Sequence, residues 1–178
     1  MFTEKAIESI KETAENFQNE KFTLLNESDL ESILSNNIRN KFDSNVSVNT
    51  QSPWYDEYVT NSKYIVDITA YDKNKLYLAY IPELKKKGYK YDDEALTIEL
   101  KYFRYKEDIK EISGDFKKMT LLSKAPKNEC FIIACARTQE IFEQAEIFMK
   151  SQLEIFREEF DGKVKIYLFG PQKLIEIK

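Results

Sequence analysis

Histidine is absent from the 178 residues, and that absence narrows the chemistry open to the chain. Ser–His and Cys–His nucleophilic sites, imidazole general bases and His-ligated zinc are all excluded. Cysteine is scarce: only Cys130 and Cys135 occur, too few for a Cys-based structural zinc site. Their odd spacing within one apolar run would point them to opposite faces of a strand. That disfavours a mutual disulfide and favours buried free thiols in a reducing cytoplasm. Four glycines and four prolines argue against long linkers or a repeat array. No apolar run approaches the about eighteen residues of a membrane span. The acidic, amphipathic start of the chain is unlike a secretory signal, so a cytoplasmic, non-membrane protein is expected. Chemistry would fall to Asp, Glu, Lys, Tyr and Ser, an oxygen-rich set suited to Mg²⁺ or Mn²⁺.

What is present is enough for one domain spanning 1–178. Hydrophobic residues make up 42% of the chain, which fills a sizeable core. The net charge is −4, less basic than a free-standing nucleic-acid binder usually is, but it is unevenly spread. Residues 84–127 carry 12 basic and 8 acidic side chains, whereas residues 1–83 carry 8 and 14. The middle third is therefore locally basic, either as a ligand-facing surface or as an ordinary solvated one.

Apolar spacing predicts a helix over Thr3–Gln18, through Ile7, Ile10, Ala14 and Phe17. A second, to about Lys41, is announced by Ser28 and Glu31 as a capping box. Val46–Asn49 is a short strand candidate, and Pro53–Tyr58 reads as an irregular aromatic connection. Lys63–Asp72 is rich in β-branched and aromatic residues and predicts a strand, with Lys75–Ile81 as its hairpin partner. Residues 82–94 read as a loop or short helix. A strand over 96–105 follows, then a helix over Asp108–Ser123 with Ile109, Ile112, Phe116, Met119 and Leu122 inward. Cys130–Ala136 is continuously apolar, as in a strand buried on both faces. Thr138 then caps a long helix to about Phe160, and Val164–Phe169 is a closing strand. The expected class is α/β (α+β), a mixed sheet flanked by helices.

Two predicted strands carry charge where strands rarely do. Period-two alternation puts Thr97, Glu99, Lys101 and Phe103 on one face, with Leu96, Ile98, Leu100 and Tyr102 on the other. Likewise Asp67 shares a face with Ile65 and Thr69, and Val66, Ile68 and Ala70 point away. Charged groups inside core-like strands require partners. Those partners are either each other, as a structural ion pair, or a bound cation.

Asp67 in YIVDITAYD, followed by Glu-x-Lys at Glu99 and Lys101 in TIELKYFR, resembles the PD-(D/E)XK nuclease superfamily. The resemblance covers roughly 28–169 and extends to the αβββαβ element order of its restriction-endonuclease-like core. Residues 1–20 would then be an added N-terminal helix and 73–94 an insertion. Val66, not Pro, precedes Asp67, a departure from the pattern. A second Glu-x-Lys, at Glu83 and Lys85, follows Pro82 into a lysine run without alternation and is the weaker candidate.

The resemblance implies a Mg²⁺- or Mn²⁺-dependent nuclease hydrolysing phosphodiester bonds, with DNA the expected substrate and restriction or defence the expected role. Asp67, Glu99 and the Leu100 carbonyl would hold the ion, and Lys101 would orient water or stabilise the transition state. Glu31 would be either a further carboxylate of that site or only a helix cap. Lys117 and Lys118 are either phosphate contacts or the exposed side of their helix. Lys85, Lys86, Lys87 and Lys90, interleaved with Tyr89 and Tyr91, either track a nucleic-acid backbone or form a solvated loop. The acidic overall charge favours a homodimer or a partner subunit over a lone DNA-binding monomer. The competing readings are a non-catalytic nucleic-acid- or protein-binding module on the same fold, and a domain whose charges form a structural ion pair.

Overall fold

The apolar run at 130–136 becomes the central strand of a sheet whose two faces are each covered by helices. A computed structural model describes residues 2–54, 64–81, 86–91 and 94–178. In chain order the elements are α1 (Phe2–Gln18), α2 (Glu27–Lys41), β1 (Val46–Trp54), β2 (Tyr64–Asp72), β3 (Leu76–Ile81) and β4 (Lys86–Tyr91). They continue with β5 (Ala95–Phe103), α3 (Ile112–Leu122), β6 (Asn128–Ala136), α4 (Gln139–Phe160), β7 (Val164–Phe169) and β8 (Leu174–Glu176). Six strands form one mixed sheet in the order β1-β2-β5-β6-β7-β8. The β5–β6 and β6–β7 pairs are parallel, and the other neighbours are antiparallel.

Alternation along β6 divides the core into two layers. Cys130, Ile132, Ala134 and Ala136 pack with Phe116 and Met119 of α3 and Phe142 and Met149 of α4. Phe131, Ile133 and Cys135 pack with Ile10 of α1 and Leu30, Leu34 and Ile38 of α2. The two cysteines are buried, free and on opposite faces, as their spacing requires. On β5, Leu96, Ile98, Leu100 and Tyr102 join the α1/α2 layer, and Ala95 and Phe103 join the α3/α4 layer. All five inward positions predicted for the third helix are buried, although its first part, Lys106–Glu111, is a 3₁₀ segment. Among the described residues no helix is long and apolar enough to cross a membrane.

Four expectations are corrected. The strand expected to end at Asn49 runs to Trp54. Pro53 lies on a strand with a single partner among the described residues, β2, and an edge strand is where a proline is tolerated. Tyr55–Tyr58, like Glu83 and Lys85, lie outside the described residues. β3 does not pair with β2, because β1 and β5 already occupy both edges of that strand. It pairs instead with β4 in a separate two-stranded sheet, so the loop or short helix expected over 82–94 contains a strand at Lys86–Tyr91.

The fourth correction concerns the start of α2. The N-cap is Asn26, whose side chain accepts from the Asp29 N–H at 3.0 Å. The Asp29 carboxylate accepts in return from the N–H groups of Asn26 and Leu25. The capping box is therefore Asn26–Asp29, two residues before Ser28–Glu31, and Glu31 is not a cap. Two overlapping S/T/N-x-x-D/E patterns compete here, and the earlier one satisfies more of the unpaired N–H groups. Asn26→Ala should lower stability by about 1 kcal/mol and Ser28→Ala by a few tenths at most. Urea unfolding of the two variants decides between the frames, and the reverse ranking would restore Ser28 as the cap.

Candidate functional site

The site begins where a ladder stops. β2 and β5 pair from Tyr71↔Ala95 to Ile68↔Ile98 and no further, although both strands continue. Alternate N–H groups of β5 face β2, and beyond Ile98 those of Leu100 and Tyr102 lose their strand partner. Buried N–H groups must find acceptors. Leu100 donates to Asp67 Oδ2 at 2.7 Å, and Tyr102 donates to Glu27 Oε2 at 3.4 Å. Two carboxylates are thereby drawn onto the opened edge of β5. The N–H and C=O of one extended residue point to the same edge, so the Leu100 carbonyl also looks into this gap.

Asp67 does not follow the alternation expected of it. Val66 belongs to the α3/α4 layer, whereas Ile68 and Ala70 belong to the α1/α2 layer. The strand therefore turns at Asp67 and directs its carboxylate along the gap. Opposite it, Gln51 of β1 lies in the left-handed region at φ 49°. The Gln51 amide donates to Asp67 Oδ1 at 3.2 Å and to Glu31 Oε2 at 2.8 Å. Glu31 thus reaches the site only through Gln51, at its exposed margin.

The α3 side is built from charge. Asp115 and Lys118 are three apart on that helix and share a face. Lys118 pairs with Glu99 Oε2 and also donates to the Ile65 carbonyl of β2 at 2.8 Å, so it spans the gap. Lys101 lies 3.2 Å from Glu27 Oε2 and 3.9 Å from Asp115 Oδ2. Carboxylates and ammonium groups alternate from Glu99 through Lys118, Asp115 and Lys101 to Glu27, with the Asp67 carboxylate beside Glu99 as a like charge. Lys117, the neighbour of Lys118, points outward and is exposed.

Burial strains this network. Glu99 is 1% exposed. Desolvation, aided by the Asp67 charge and opposed by Lys118, pushes its carboxyl up to about 8. Asp115 is pushed up to about 6, again by desolvation first, against Lys101 and Lys118. Burial opposes the charge of Lys101, but Asp115, Glu27 and Glu111 together outweigh it and raise its pKa. Glu99 Oε1 and Asp115 Oδ2 are buried without any hydrogen-bond partner among the described residues. Such orphaned carboxylate oxygens are costly unless a cation or donor completes them.

The structure therefore brings Asp67, Glu99, Leu100 and Lys101 to one gap. It leaves Glu31 at the edge and adds Glu27, Asp115, Lys118 and Gln51. Glu27 was hidden by the misplaced cap, since it is the first residue of α2 only when Asn26 is the N-cap. Nothing in the sequence singles out Gln51. Among the described residues no three acidic or thiol side chains form a ready-made metal cage. Comparison of the chain with protein-family models, curated proteins and solved structures returned no match.

The raised carboxyls have a consequence for stability. Each binds its proton more tightly in the folded than in the unfolded state, so stability falls as pH rises from the ordinary carboxyl range toward 8. In chelator-containing buffer, the urea midpoint should decrease from pH 5 to pH 8. Glu99→Gln should flatten that decline. A wild-type slope retained in the variant would contradict the assignment.

Proposed function

We propose that the chain is a nuclease of the PD-(D/E)XK type, dependent on Mg²⁺ or Mn²⁺ and hydrolysing phosphodiester bonds in DNA. The observation that carries this reading is the gap between β2 and β5. There the Asp67 carboxylate, the Leu100 carbonyl and a buried, half-unsatisfied Glu99 are gathered on one strand edge. The sheet order supports it: α2-β1-β2-β5-α3-β6, with β1–β2 and β2–β5 antiparallel and β5–β6 parallel, follows the αβββαβ sequence of that superfamily's core.

The donor set fits a hard divalent cation. Mg²⁺ takes one or two carboxylates and keeps several waters, so a full protein cage is not needed. Asp67, Glu99 and the Leu100 carbonyl would hold it, and Glu99 Oε1 supplies a buried lone pair with no other use. When bound, the ion supplies Lewis-acid polarisation of a phosphoryl oxygen and a lowered pKa for water.

The chain's own residues account for the rest. Glu27 and Asp115 hold Lys101 protonated and aimed along the gap, where its ammonium can orient water or stabilise negative charge on a phosphorane. Lys118 pairs with Glu99 and opposes the upward shift that burial imposes on it, which lowers the cost of ionising this buried carboxyl. Gln51 fixes the Asp67 carboxylate from the far side. DNA is favoured over RNA by the resemblance alone, as is a role in restriction or defence. The acidic net charge favours a dimer or partner subunit that adds basic surface.

One observation favours a second reading. Glu99–Lys118 and Lys101–Asp115 alternate between β5 and α3, an arrangement that also suits a purely structural charge network in a non-catalytic binding module. Cleavage separates the two. With Mg²⁺ or Mn²⁺, the wild type should nick or linearise supercoiled plasmid, and Lys101→Ala should lose roughly a hundredfold or more in rate while remaining folded. Asp67→Asn should be comparably impaired. Undiminished cleavage by both variants would place the chemistry elsewhere.

A further inference from the structure

Beyond the gap, β5 leads into a cavity of about 480 Å³ whose lining contains none of Asp67, Glu99, Leu100 and Lys101. It lies at the carboxyl ends of the parallel strands β5, β6 and β7, where open α/β sheets commonly bind ligands. Tyr102 is one wall, and its hydroxyl donates to the Leu24 carbonyl at 3.0 Å. The loop joining α1 to α2 forms the opposite side.

Two arginines give the cavity its character. Phe103 and Ala136 are register partners in the parallel β5–β6 ladder, and the Arg137 N–H donates to the Phe103 carbonyl at 3.0 Å. Arg104 and Arg137 are the next residue of each strand, so they leave neighbouring strands at the same level. Both line the cavity. Strands lie roughly 4.8 Å apart, which starts the two side chains from neighbouring backbone positions, and the Arg104 guanidinium lies over the Tyr105 ring at 5.3 Å. Both arginines lie close enough to the Tyr102 hydroxyl to oppose the upward shift that burial imposes on it. Neither forms an ion pair with another described residue. Among the described residues, Glu20 is the single acidic one that lines it. The remaining wall mixes apolar Phe17, Phe22 and Pro171 with polar Gln18 and Thr23, and Leu25 is left 66% exposed at the cavity.

We infer that this cavity binds a nucleoside monophosphate unit, its phosphate on Arg104 and Arg137 and its base against the Phe22–Leu25 wall. A guanidinium matches phosphate geometry, and two of them line this cavity. A cavity of this size and mixed lining suits a phosphate carrying an organic group better than a bare anion. The inference rests on the nuclease reading for its biological setting. Arg104 is three residues from Lys101 on one chain, roughly 10 Å along the strand, so the cavity would seat a nucleotide flanking the cleaved bond. The same chemistry is presented by a free mononucleotide and by a strand end.

The test is calorimetric titration of the full chain in chelator, using adenosine 5′-monophosphate, inorganic phosphate, and a short oligodeoxynucleotide with and without a 5′-phosphate. The monophosphate or the phosphorylated oligonucleotide should bind. The double variant Arg104→Gln, Arg137→Gln should weaken that binding roughly tenfold or more, and Glu20→Gln should tighten it. Preference for the free monophosphate assigns the cavity to a mononucleotide, and preference for the phosphorylated oligonucleotide assigns it to a strand end. Absence of binding at millimolar concentration, wild-type affinity in the double variant, or inorganic phosphate binding as tightly as the monophosphate would overturn the proposal. Asp67 and Glu99 are not needed for this binding, so a protein that binds nucleotide but fails to cleave DNA would sink only the nuclease reading.

Discussion

The site depends on two unpaired backbone N–H groups. Where β2 leaves β5 after Ile68↔Ile98, Leu100 and Tyr102 need acceptors, and side-chain carboxylates from two other elements supply them. A hydrogen bond of this kind contributes only modestly to stability when made but is expensive to leave unmade. That asymmetry fixes Asp67 and Glu27 on the β5 edge. Once they are fixed, the remaining charges follow: Lys101 pairs with Glu27, and Lys118 closes the gap from α3 onto both Glu99 and the Ile65 carbonyl.

The network is compensated but not complete. Glu99 and Asp115 are buried enough to resist ionisation, and each leaves an oxygen without a donor. A stable scaffold would gain by replacing such groups with apolar ones of similar volume. Perturbed buried carboxyls of this kind are candidates for a functional site, because such shifts are a means by which cation affinity and proton transfer are tuned. The same strand then runs on to Arg104, so a cleft rich in carboxylates and a cavity carrying guanidiniums share one element.

Much of this was legible from local pattern. Period two along Leu96–Phe103 assigned both faces of β5, and the 3.6-residue spacing of Ile112, Phe116 and Met119 assigned the buried side of α3. Continuous apolarity marked β6 as central. Pairing was less legible because it is not local: nothing in Leu76–Ile81 says that both edges of β2 are taken. The turn at Asp67 escaped a strict alternation argument, since it arises from the parting of two strands rather than from the residue's own preference. Glu27 escaped through a two-residue error in the cap, and Gln51 carries no sequence signal. Arg104 and Arg137 become a pair only through the parallel register of β5 and β6.

The most direct measurement is a calorimetric titration of the metal-free chain with Mn²⁺ near neutral pH, in two buffers of different ionisation enthalpy. One ion should bind, and the apparent enthalpy should differ between buffers because Glu99, held up to about 8, releases a proton when it becomes a ligand. Asp67→Asn and Glu99→Gln should each abolish that binding. Absence of binding at millimolar Mn²⁺, or binding that survives both substitutions, would contradict the proposed metal site and with it the proposed nuclease activity.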